Sequence, residues 1–477
     1  MEPVLPFDID LPRTAGQRML TLHRSLRAAI LDGRLPTGFA LPATRRLASE
    51  LGVARNTVVG AYDLLMAEGY LLPRERARPE VAPLNRPARQ RKRPATAIDP
   101  RLAPFWRTPY PLAHVARGLP ERSFRLGIPE HRQFPQALWR RLTARALRRD
   151  EKAPFLYPPP AGLPRLRAAI AQHVAFTRAV ACETGDIVVT SGAQQAFDLL
   201  ARLLVTPGKT RVAMENPGYP PLRATLASAG ARMVPVAVDD EGLCVERLPR
   251  DADVVCVTPS HQSPTGAMLS LRRRTALLEF ARRRGAVIIE DDYDGEFRFG
   301  KRPLDALQML DRDGCVFYVG TFSKTLFPAL RKGFVVAPQW ARAPLESVVE
   351  CTGPHCEATT QAVLAEFILA GHMARHVRRM QAIYAERRDA VLQGLAALPD
   401  WLQTVPSGAG LHTAARLRAG VARERFFREL RRHAPGAQAW SEYAFAPLPQ
   451  AGAVFGYGVI DVQEIRSRMR ALATALA

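Results

Sequence analysis

The sequence predicts two domains, a small helical domain at the N-terminus and a large α/β domain built on a mainly parallel sheet. With 477 residues, the chain is longer than one hydrophobic core usually supports. Apolar residues recur at helical spacing near the N-terminus, whereas short β-branched runs alternate with helical patterns from residue 187 onward. The composition, 47% hydrophobic and 23% charged, is typical of a globular protein.

Charge and cysteine usage limit the classes of protein to consider. The formal net charge of +22 points to a polyanion partner, although an arginine-rich composition also follows genomic base content. The six cysteines form no C-x-x-C pair, so we expect reduced thiols, and His355 beside Cys356 has no second pair with which to bind a metal. No apolar run reaches the length of a membrane span or a signal core. The expectation is a soluble cytoplasmic protein without metal or membrane contacts.

The N-terminal region predicts a helix-turn-helix. One helix ends at Asp32–Gly33, a second covers 44–51 with Gly52 as a left-handed cap, and a third begins after Val53. In such a pair, the N-terminal residues of the second helix meet the DNA major groove. The candidate DNA contacts at the starts of the two helices are Thr44, Arg45, Arg46, Arg55, Asn56 and Thr57. A plain three-helix bundle with exposed arginines is the alternative.

A tether is predicted between the two domains. From Pro83 to Pro94 the chain holds three prolines, five basic residues and no acidic residue. Such a segment buries too little apolar surface to fold alone, and its charges repel one another. We place the helical domain at 12–80, the linker at 81–120 and the large domain at 121–477.

The large domain is predicted from seven short apolar runs separated by helical patterns. These runs are 187–190, 211–214, 233–238, 253–258, 286–290, 316–319 and 334–337. Strands that are apolar throughout and alternate with helices indicate a mainly parallel sheet covered on both faces. Ligands of such sheets bind beyond the carboxyl ends of the strands.

Polar residues follow several of these strand ends. Ala193 and Gln194 open a helix after a small-residue turn, a place where backbone N–H groups bind phosphate. Tyr219 lies on a rigid turn and can stack on a flat ring, although simple packing is the alternative. Asp291 ends a buried strand, where a carboxylate is costly unless it is paired, and Tyr293 follows two residues later.

The stretch from 320 to 331 carries the most specific chemistry. Lys324 follows a predicted strand, with hydroxyls at Thr321 and Ser323 and a guanidinium at Arg331. A held, partly desolvated amine attacks aldehydes, and hydroxyls beside an arginine suit a phosphate ester. An aldehyde and a phosphate on one small molecule describe pyridoxal 5′-phosphate (PLP). A surface Ser-Lys in a loop is the alternative.

Longer motifs carry a family resemblance. Residues 15–72, with Leu-Pro-Ala-Thr-Arg-Arg-Leu-Ala and Arg-Asn-Thr-Val, resemble the winged helix of the GntR family. Pro-Ser-His-Gln-x-Pro-Thr-Gly, Glu-Asp-Asp-Tyr-Asp-Gly-Glu-Phe-Arg and Gly-Thr-Phe-Ser-Lys-Thr-Leu-Phe-Pro-Ala-Leu-Arg resemble the fold-type-I aminotransferase domain of MocR-type regulators. The resemblance implies a seven-stranded, mainly parallel sheet of the PLP-dependent transferase fold, followed by a small C-terminal α+β subdomain.

The resemblance also implies roles for individual residues. Lys324 would form the Schiff base with PLP, Asp291 would pair with the pyridine nitrogen and Tyr293 would bind the ring oxygen. Tyr219 would stack on the ring. The residues that would hold the phosphate are Ala193, Gln194, Thr321, Ser323 and Arg331. Relatives of this kind are domain-swapped homodimers that bind duplex DNA.

Four departures from the family pattern stand out. Ser263 replaces the asparagine that aminotransferases carry before Pro-Thr-Gly, which weakens one contact to the ring. Ala54 replaces a helix-capping serine. Residues 72–79 lack the glycine-rich turn of a wing, so the sequence leaves open whether a wing hairpin forms. Glu442 stands where relatives place an arginine for the carboxylate of an effector.

Three functions remain open from the sequence. The first is a PLP-dependent transcription factor that senses an amine effector, or PLP itself, through Lys324. The second is a working aminotransferase that retains a DNA-binding head, and the third is a DNA-binding protein whose large domain only dimerises. The intact set of Lys324, Asp291 and Arg331 disfavours the third, and the DNA-binding head disfavours the second.

Overall fold

The computed structural model describes residues 5–12, 14–74, 78–83, 102–108, 120–150, 157–299, 305–353, 357–406 and 408–477. The chain divides into two compact units, Met1–Asp99 and Pro100–Ala477. Most of the predicted linker, together with His355 and Cys356, lies outside the described residues. The domain limits given above therefore stay predictions.

The N-terminal unit is a three-helix domain with a short hairpin. Its helices are α1 (Ala15–Asp32), α2 (Thr44–Glu50) and α3 (Arg55–Ala67). Gly33 ends α1 with a φ of 89° and Gly52 follows α2 with a φ of 60°, which confirms the predicted helix end at Gly33 and the predicted left-handed cap at Gly52. Apolar side chains from all three helices are fully buried between them: Leu22, Leu26, Leu47, Val58, Ala61 and Leu65.

The sequence left open whether a wing forms, and the structure contains a short hairpin at this place. Strand β1 (Leu71–Leu72) pairs antiparallel with β2 (Glu80–Val81), and Ala40 bridges to Glu80. Leu71 and Val81 are buried against the helices, so apolar burial fixes the pairing without a glycine-rich turn. The tip of the hairpin, 75–77, lies outside the described residues.

The large unit is organised around one sheet. Its strands are β3 (Ile187–Thr190), β4 (Arg211–Asn216), β5 (Arg232–Asp239), β6 (Gly242–Leu243), β7 (Val254–Val257), β8 (Val287–Asp292), β9 (Val316–Thr321) and β10 (Gly333–Val336). Within the described residues the order is β3-β10-β9-β8-β7-β4-β5-β6. The central pairs are parallel, whereas β10 runs antiparallel to both of its neighbours. All seven predicted strands are confirmed, and the two-residue β6 adds an edge that was not predicted.

Helices cover both faces of this sheet. They are α4 (Gln136–Asp150), α5 (Pro164–Arg178), α6 (Ala193–Leu204), α7 (Pro220–Ser228), α8 (Leu271–Arg284), α9 (Leu307–Leu310), α10 (Arg342–Thr352) and α11 (Ala358–Leu369). Separate apolar clusters lie on the two sides of the sheet, as expected for strands that are buried throughout.

A smaller α+β layer completes the chain. It contains α12 (His372–Ala396), α13 (Arg423–His433) and α14 (Val462–Leu476) beside the strands β11 (Leu402–Thr404), β12 (His412–Leu417), β13 (Gln438–Ala439) and β14 (Gly452–Gly456). These strands pair antiparallel in the order β11-β12-β14-β13. Among the described residues, no helix is both long and apolar enough to cross a membrane.

Candidate functional site

Lys324 lies just beyond the carboxyl end of β9, and its amine is fixed by one hydrogen bond. The Nζ atom donates to the backbone oxygen of Gly127 at 2.8 Å. Gly127 has a φ of 69°, and a Cβ there would lie 2.6 Å from Nζ, so the close approach requires glycine. Although part of the side chain stays accessible, burial of the amine lowers the pKa of Lys324, and Asp294 and Asp291 oppose the shift. The shift makes the neutral, nucleophilic amine easier to reach than it is for an exposed lysine.

Three consecutive carboxylates end strand β8, and two of them are already satisfied. Glu290 accepts two backbone N–H groups at 2.8 Å each. Asp292 binds Arg178 at 2.5 Å and the hydroxyl of Tyr318 at 2.7 Å. Because side chains alternate along a strand, Asp291 faces away from both of these groups. Its carboxylate is left for a ligand on the other face.

Asp291 supplies the test of whether the site fits a pyridine cofactor. Its side chain is buried, and its Oδ1 atom has no hydrogen-bond partner. Burial raises the pKa of Asp291 to about 8, Asp292 adds to the shift and Lys324 opposes it. A buried carboxylate without a partner is costly, and a protonated ring nitrogen would supply both the hydrogen bond and the charge. The residues present fit PLP.

The predicted phosphate region is built at the start of α6. Gly192 precedes this helix with a φ of 89°, and the guanidinium of Arg331 lies 3.3–3.5 Å from the position where a Cβ of Gly192 would stand. The first amides of a helix have no intrahelical acceptor, so Ala193 and Gln194 present theirs to the same region. Arg331 is exposed and itself adopts a left-handed φ of 49°. Helix amides and a guanidinium converge on one anion site.

The other predicted phosphate residues, Gln194, Thr321 and Ser323, already make side-chain hydrogen bonds within the protein. The side-chain amide of Gln194 donates to the hydroxyl of Thr225 at 2.5 Å, so Gln194 can contribute through its backbone rather than its side chain. The Thr321 hydroxyl donates to the Ser323 hydroxyl at 3.0 Å and accepts the Ser323 backbone N–H at 3.2 Å. This pair holds both hydroxyls beside the lysine loop.

Three residues predicted to meet the ring lie around the same edge. Tyr293 donates its hydroxyl to the backbone oxygen of His261 at 2.8 Å. Burial raises the pKa of Tyr293 well above its usual value, whereas a hydrogen bond with the Ser263 side chain opposes the shift. Burial also raises the pKa of Tyr219, with Asp291 adding and Arg331 opposing. Tyr219 therefore lies close enough to Asp291 and to Arg331 for both charges to affect its pKa.

Sequence reasoning missed a buried cluster of His261, His412 and Asp294. His261 Nδ1 lies 2.9 Å from Asp294 Oδ2, and the two imidazoles stack with centroids 4.2 Å apart. Burial lowers the pKa of His412 well below its usual value, and His261 and Lys324 lower it further. The Nε2 atoms of both histidines lack hydrogen-bond partners. The polar loop around His261 was a signal, but His412 follows no strand end of the main sheet.

The C-terminal layer is attached directly to the loop that carries Tyr219. Asn216, at the end of β4, accepts the backbone N–H of Phe445 at 3.0 Å and donates to the backbone oxygen of Ala446 at 3.2 Å. The backbone N–H of Gly218 donates to the oxygen of Tyr443 at 3.2 Å. These hydrogen bonds connect the C-terminal layer to the loop that carries Tyr219, at the edge of the sheet where Lys324 lies.

Glu442 caps its own turn. Its carboxylate accepts the backbone N–H of Ala439 at 2.9 Å and the side-chain amide of Gln438 at 3.1 Å. It is exposed, and it offers no cation to the carboxylate of a ligand.

The predicted DNA contacts lie together in the N-terminal unit. Arg45, Arg46, Arg55 and Asn56 are exposed, and no carboxylate of a described residue lies within 4.0 Å of the three arginines. Arg55 Nε donates to the Thr44 hydroxyl at 3.4 Å, which joins the starts of α2 and α3 on one face. Thr57 is half-buried in the first turn of α3.

Comparison with known proteins identifies the family. The profile of bacterial regulatory proteins of the gntR family matches residues 20–80, and that of class I and II aminotransferases matches 128–435. The probable rhizopine catabolism regulatory protein MocR of Rhizobium meliloti is 39% identical, covering 99% of this chain and 95% of that protein. The chain belongs to the MocR-type transcriptional regulators. This MocR-type chain is also 32% identical to the pyridoxine biosynthesis transcriptional regulator PdxR of Corynebacterium glutamicum, over 93% of each protein.

A solved structure supports the fold of the large domain. LysN, the α-aminoadipate aminotransferase of Thermus thermophilus, was crystallised with N-(5′-phosphopyridoxyl)-L-leucine. It aligns with a TM-score of 0.67 at 26% identity, covering 76% of this chain and 92% of that one. The winged-helix and fold-type-I assignments are thus confirmed. The MocR-type chain binds DNA through its head and PLP through its large domain.

Proposed function

We propose that this chain regulates transcription by converting occupancy of the Lys324 site into a change in DNA affinity. The observation that carries the proposal is a pair of complementary groups at neighbouring strand ends. One is a desolvated amine held by Gly127, and the other is a buried carboxylate oxygen of Asp291 without a partner. A desolvated amine and an unpartnered buried carboxylate both cost folding free energy, and a domain that only dimerises would gain nothing from either of them.

Each predicted residue has a role in this proposal. PLP supplies an aldehyde that reacts with amines and a ring that withdraws electrons. Lys324 would provide the attachment point, Asp291 would hold a proton on the ring nitrogen, and Tyr293 would hydrogen-bond the ring oxygen, with Ser263 as a weaker neighbour. Tyr219 covers the ring face. The phosphate is held by the amides of Ala193 and Gln194 together with Thr321, Ser323 and Arg331.

The signal in this proposal is an amine, or PLP itself. An amine effector would change whether Lys324 is the group that holds the cofactor, and such a change is the differential interaction that a two-state switch requires. Because Glu442 offers no cation, an effector carboxylate would need another partner. The hydrogen bonds of Asn216 to the C-terminal layer supply a route by which the exchange changes packing.

DNA is read by the helical head. Arg45 and Arg46 contact phosphates, and Arg55, Asn56 and Thr57 face base edges in the major groove. We further propose a domain-swapped homodimer in the cytoplasm, in which two heads bind paired half-sites. Such an arrangement lets one effector site bias both contacts with the operator.

The decisive experiment replaces the attachment residue. Lys324→Ala should abolish the covalent adduct that borohydride traps on Lys324 and remove any effect of PLP or amines on DNA affinity, while basal DNA binding stays intact. The matched control is Lys209→Ala, which removes an exposed lysine. DNA affinity is measured on a duplex selected in vitro from a random pool, and the adduct is located by mass spectrometry.

Three results would overturn the proposal. An unchanged ligand response in Lys324→Ala would remove the lysine from the mechanism. Absence of any adduct on the parent protein would favour a large domain that only dimerises. Sustained amino transfer from an amine donor to a 2-oxo acid, with no change in DNA affinity, would show an aminotransferase.

A further inference from the structure

A basic face of the large domain lies outside the cofactor site and outside the DNA-binding head. It consists of Arg140 and Arg141 on α4 and Arg375, Arg378 and Arg379 in the first turns of α12, and all five are exposed. We call it the α4–α12 face. The three arginines of α12 stand at positions i, i+3 and i+4, so they project from one side of the helix.

One arginine from each helix lies near the imidazole of His372, at the start of α12. Arg141 and Arg375 both lower the pKa of His372 electrostatically, although burial is the larger cause. The Arg375 guanidinium lies 2.7 Å from His372 Nδ1. Guanidinium groups from α4 and α12 therefore act on the same imidazole.

Acidic residues do not neutralise this face. No Asp or Glu occurs from 136 to 149 or from 367 to 385. No carboxylate of a described residue lies within 4.0 Å of the five arginines. Glu366, which also influences His372, is engaged by Arg165 at 2.5 Å and lies 3.8 Å from Arg145.

The arginines of α8 provide a contrast within the same domain. Arg282 and Arg283 bind Glu279 at 2.8 and 2.6 Å, and Arg272 binds Glu241 at 2.5 Å. These three arginines of α8 are thus paired with acids, unlike the five of the α4–α12 face. Like charges clustered without acids cost free energy, and a polyanion would offset that cost.

The helices beneath the face hold it rigidly. Phe134 packs its ring 6.0 Å from His376 and 6.4 Å from Phe367, and Trp139 lies 5.6 Å from Phe367. This aromatic layer joins the start of α4 to α11 and α12. The arginines are therefore presented from a fixed scaffold rather than from a tail, which lowers the ordering cost of binding a regular array of phosphates.

We propose that the α4–α12 face binds the phosphate backbone of duplex DNA, in addition to the contacts of the head. The partner is DNA because the chain already carries a DNA-binding head, so a duplex is held by the same molecule. The proposal rests on that head and not on the effector mechanism, so it stands whether or not Lys324 controls DNA affinity.

The test neutralises one face at a time in the full-length, PLP-loaded protein. The triple variant Arg375→Gln, Arg378→Gln, Arg379→Gln removes charge from the α4–α12 face. The control triple Arg272→Gln, Arg282→Gln, Arg283→Gln removes the same charge from the paired arginines of α8. Glutamine keeps the helix propensity close to that of arginine. The probe is a random-sequence duplex of about 60 base pairs, titrated by fluorescence anisotropy over a series of salt concentrations.

Counterion release sets the expected result. Each phosphate contact adds about 0.9 to the slope of log affinity against log salt, so the first triple should flatten the slope by about 2–3. At about 0.1 M salt, each lost phosphate contact should lower the affinity for DNA by up to about eightfold. The control triple should leave the slope unchanged, and Arg45→Ala, at a head residue proposed to contact phosphate, should weaken binding in both backgrounds by the same factor.

Other outcomes contradict the proposal. Equal flattening by both triples would show a response to net charge rather than to this face, and no flattening would leave the head as the sole DNA contact. A change of oligomeric state confined to the first triple, seen by sedimentation, would make the face a contact between copies of this chain. Circular dichroism and PLP absorbance verify that each triple remains folded.

Discussion

At the residue scale, strand alternation decides which carboxylate serves the cofactor. Asp291 lies between two acids that face the opposite way and are bound there by backbone N–H groups, by Arg178 and by Tyr318. Only Asp291 combines burial with an unpartnered oxygen among these three. The buried, unpartnered carboxylate costs free energy in the cofactor-free protein, and a protonated ring nitrogen would offset this cost if Asp291 binds PLP as proposed.

This cost predicts a pH-dependent trade-off for Asp291→Asn. The folded pKa, about 8, lies above the ordinary value of 3.8. Between about pH 4 and 8 the unfolded chain therefore loses this proton while the folded chain keeps it, and the free energy of unfolding falls as pH rises. The variant should be more stable than the cofactor-free parent at pH 8, by up to about 5 kcal/mol, and should bind PLP more weakly.

The measurement is urea unfolding of the cofactor-free protein at pH 5 and pH 8, followed through the transition of the large domain, with PLP titration in parallel. Glu215 and Glu290, whose pKa values burial raises to about 7, act in the same direction and remain in both proteins. Asp198→Asn, at an exposed carboxylate paired with Arg202, is the control. An equally steep loss of stability in Asp291→Asn would contradict the assignment.

The residues found from the sequence and those missed differ in a physical way. Asp291 and Lys324 end strands of one parallel sheet, so the topology brings them to one edge whatever the details of packing. Gly127 and His412 reach the same place from about 200 and 90 residues away from Lys324 along the chain, through contacts that no local periodicity encodes. Asp291 and Lys324 could therefore be predicted from the topology of the sheet. Gly127 and His412, which lie around them, could not.

At the element scale, the head combines strong and weak local signals. The glycines after α1 and α2 were predictable because a left-handed residue ends each helix. The wing could not be predicted from the sequence, because β1 and β2 have two residues each. Burial of Leu71 and Val81, rather than a turn motif, holds them together. Ala54, by contrast, is a visible defect, since α3 begins there without a side-chain cap.

We predict that Ala54→Ser stabilises the head. A serine hydroxyl at this position can accept a backbone N–H in the first turn of α3, which contributes about 0.5–2 kcal/mol at helix N-termini. The backbone of Ala54 is already extended, with φ −64° and ψ 143°, so no rearrangement is needed. Thermal unfolding of the head transition measures the gain. The control is Ala67→Ser at the other end of α3, where no capping gain is expected, and equal effects at both sites would contradict the reason given.

At the scale of the whole molecule, a cofactor edge and a DNA-binding head belong to two separate compact units. Within the large unit, the loop of Tyr219 is tied by Asn216 to the C-terminal layer, and the Lys324 amine is tied to Gly127. If occupancy of the site changes either of these hydrogen bonds, the change reaches residues beyond the site. If those changes alter the DNA affinity of the chain, they do so as a coupling free energy between two sites, and such a coupling has two directions.

Reciprocity gives the last prediction. Whatever factor the effective ligand applies to DNA affinity, typically about 5–150-fold, saturating DNA must apply to the affinity for that ligand. Titrating PLP, and then a panel of amines, into the parent protein with and without duplex should therefore give two affinities whose ratio equals the ratio of DNA affinities with and without ligand.

In Asn216→Ala the Lys324 site keeps its own residues but loses a tie to the C-terminal layer. Both ratios should then fall together toward one, whereas the covalent adduct at Lys324 persists. A fall in one ratio without the other would violate linkage at equilibrium and would show that the ligand acts on a different form of the protein. Ratios that both stay at the parent value would exclude the Asn216 contact as the route.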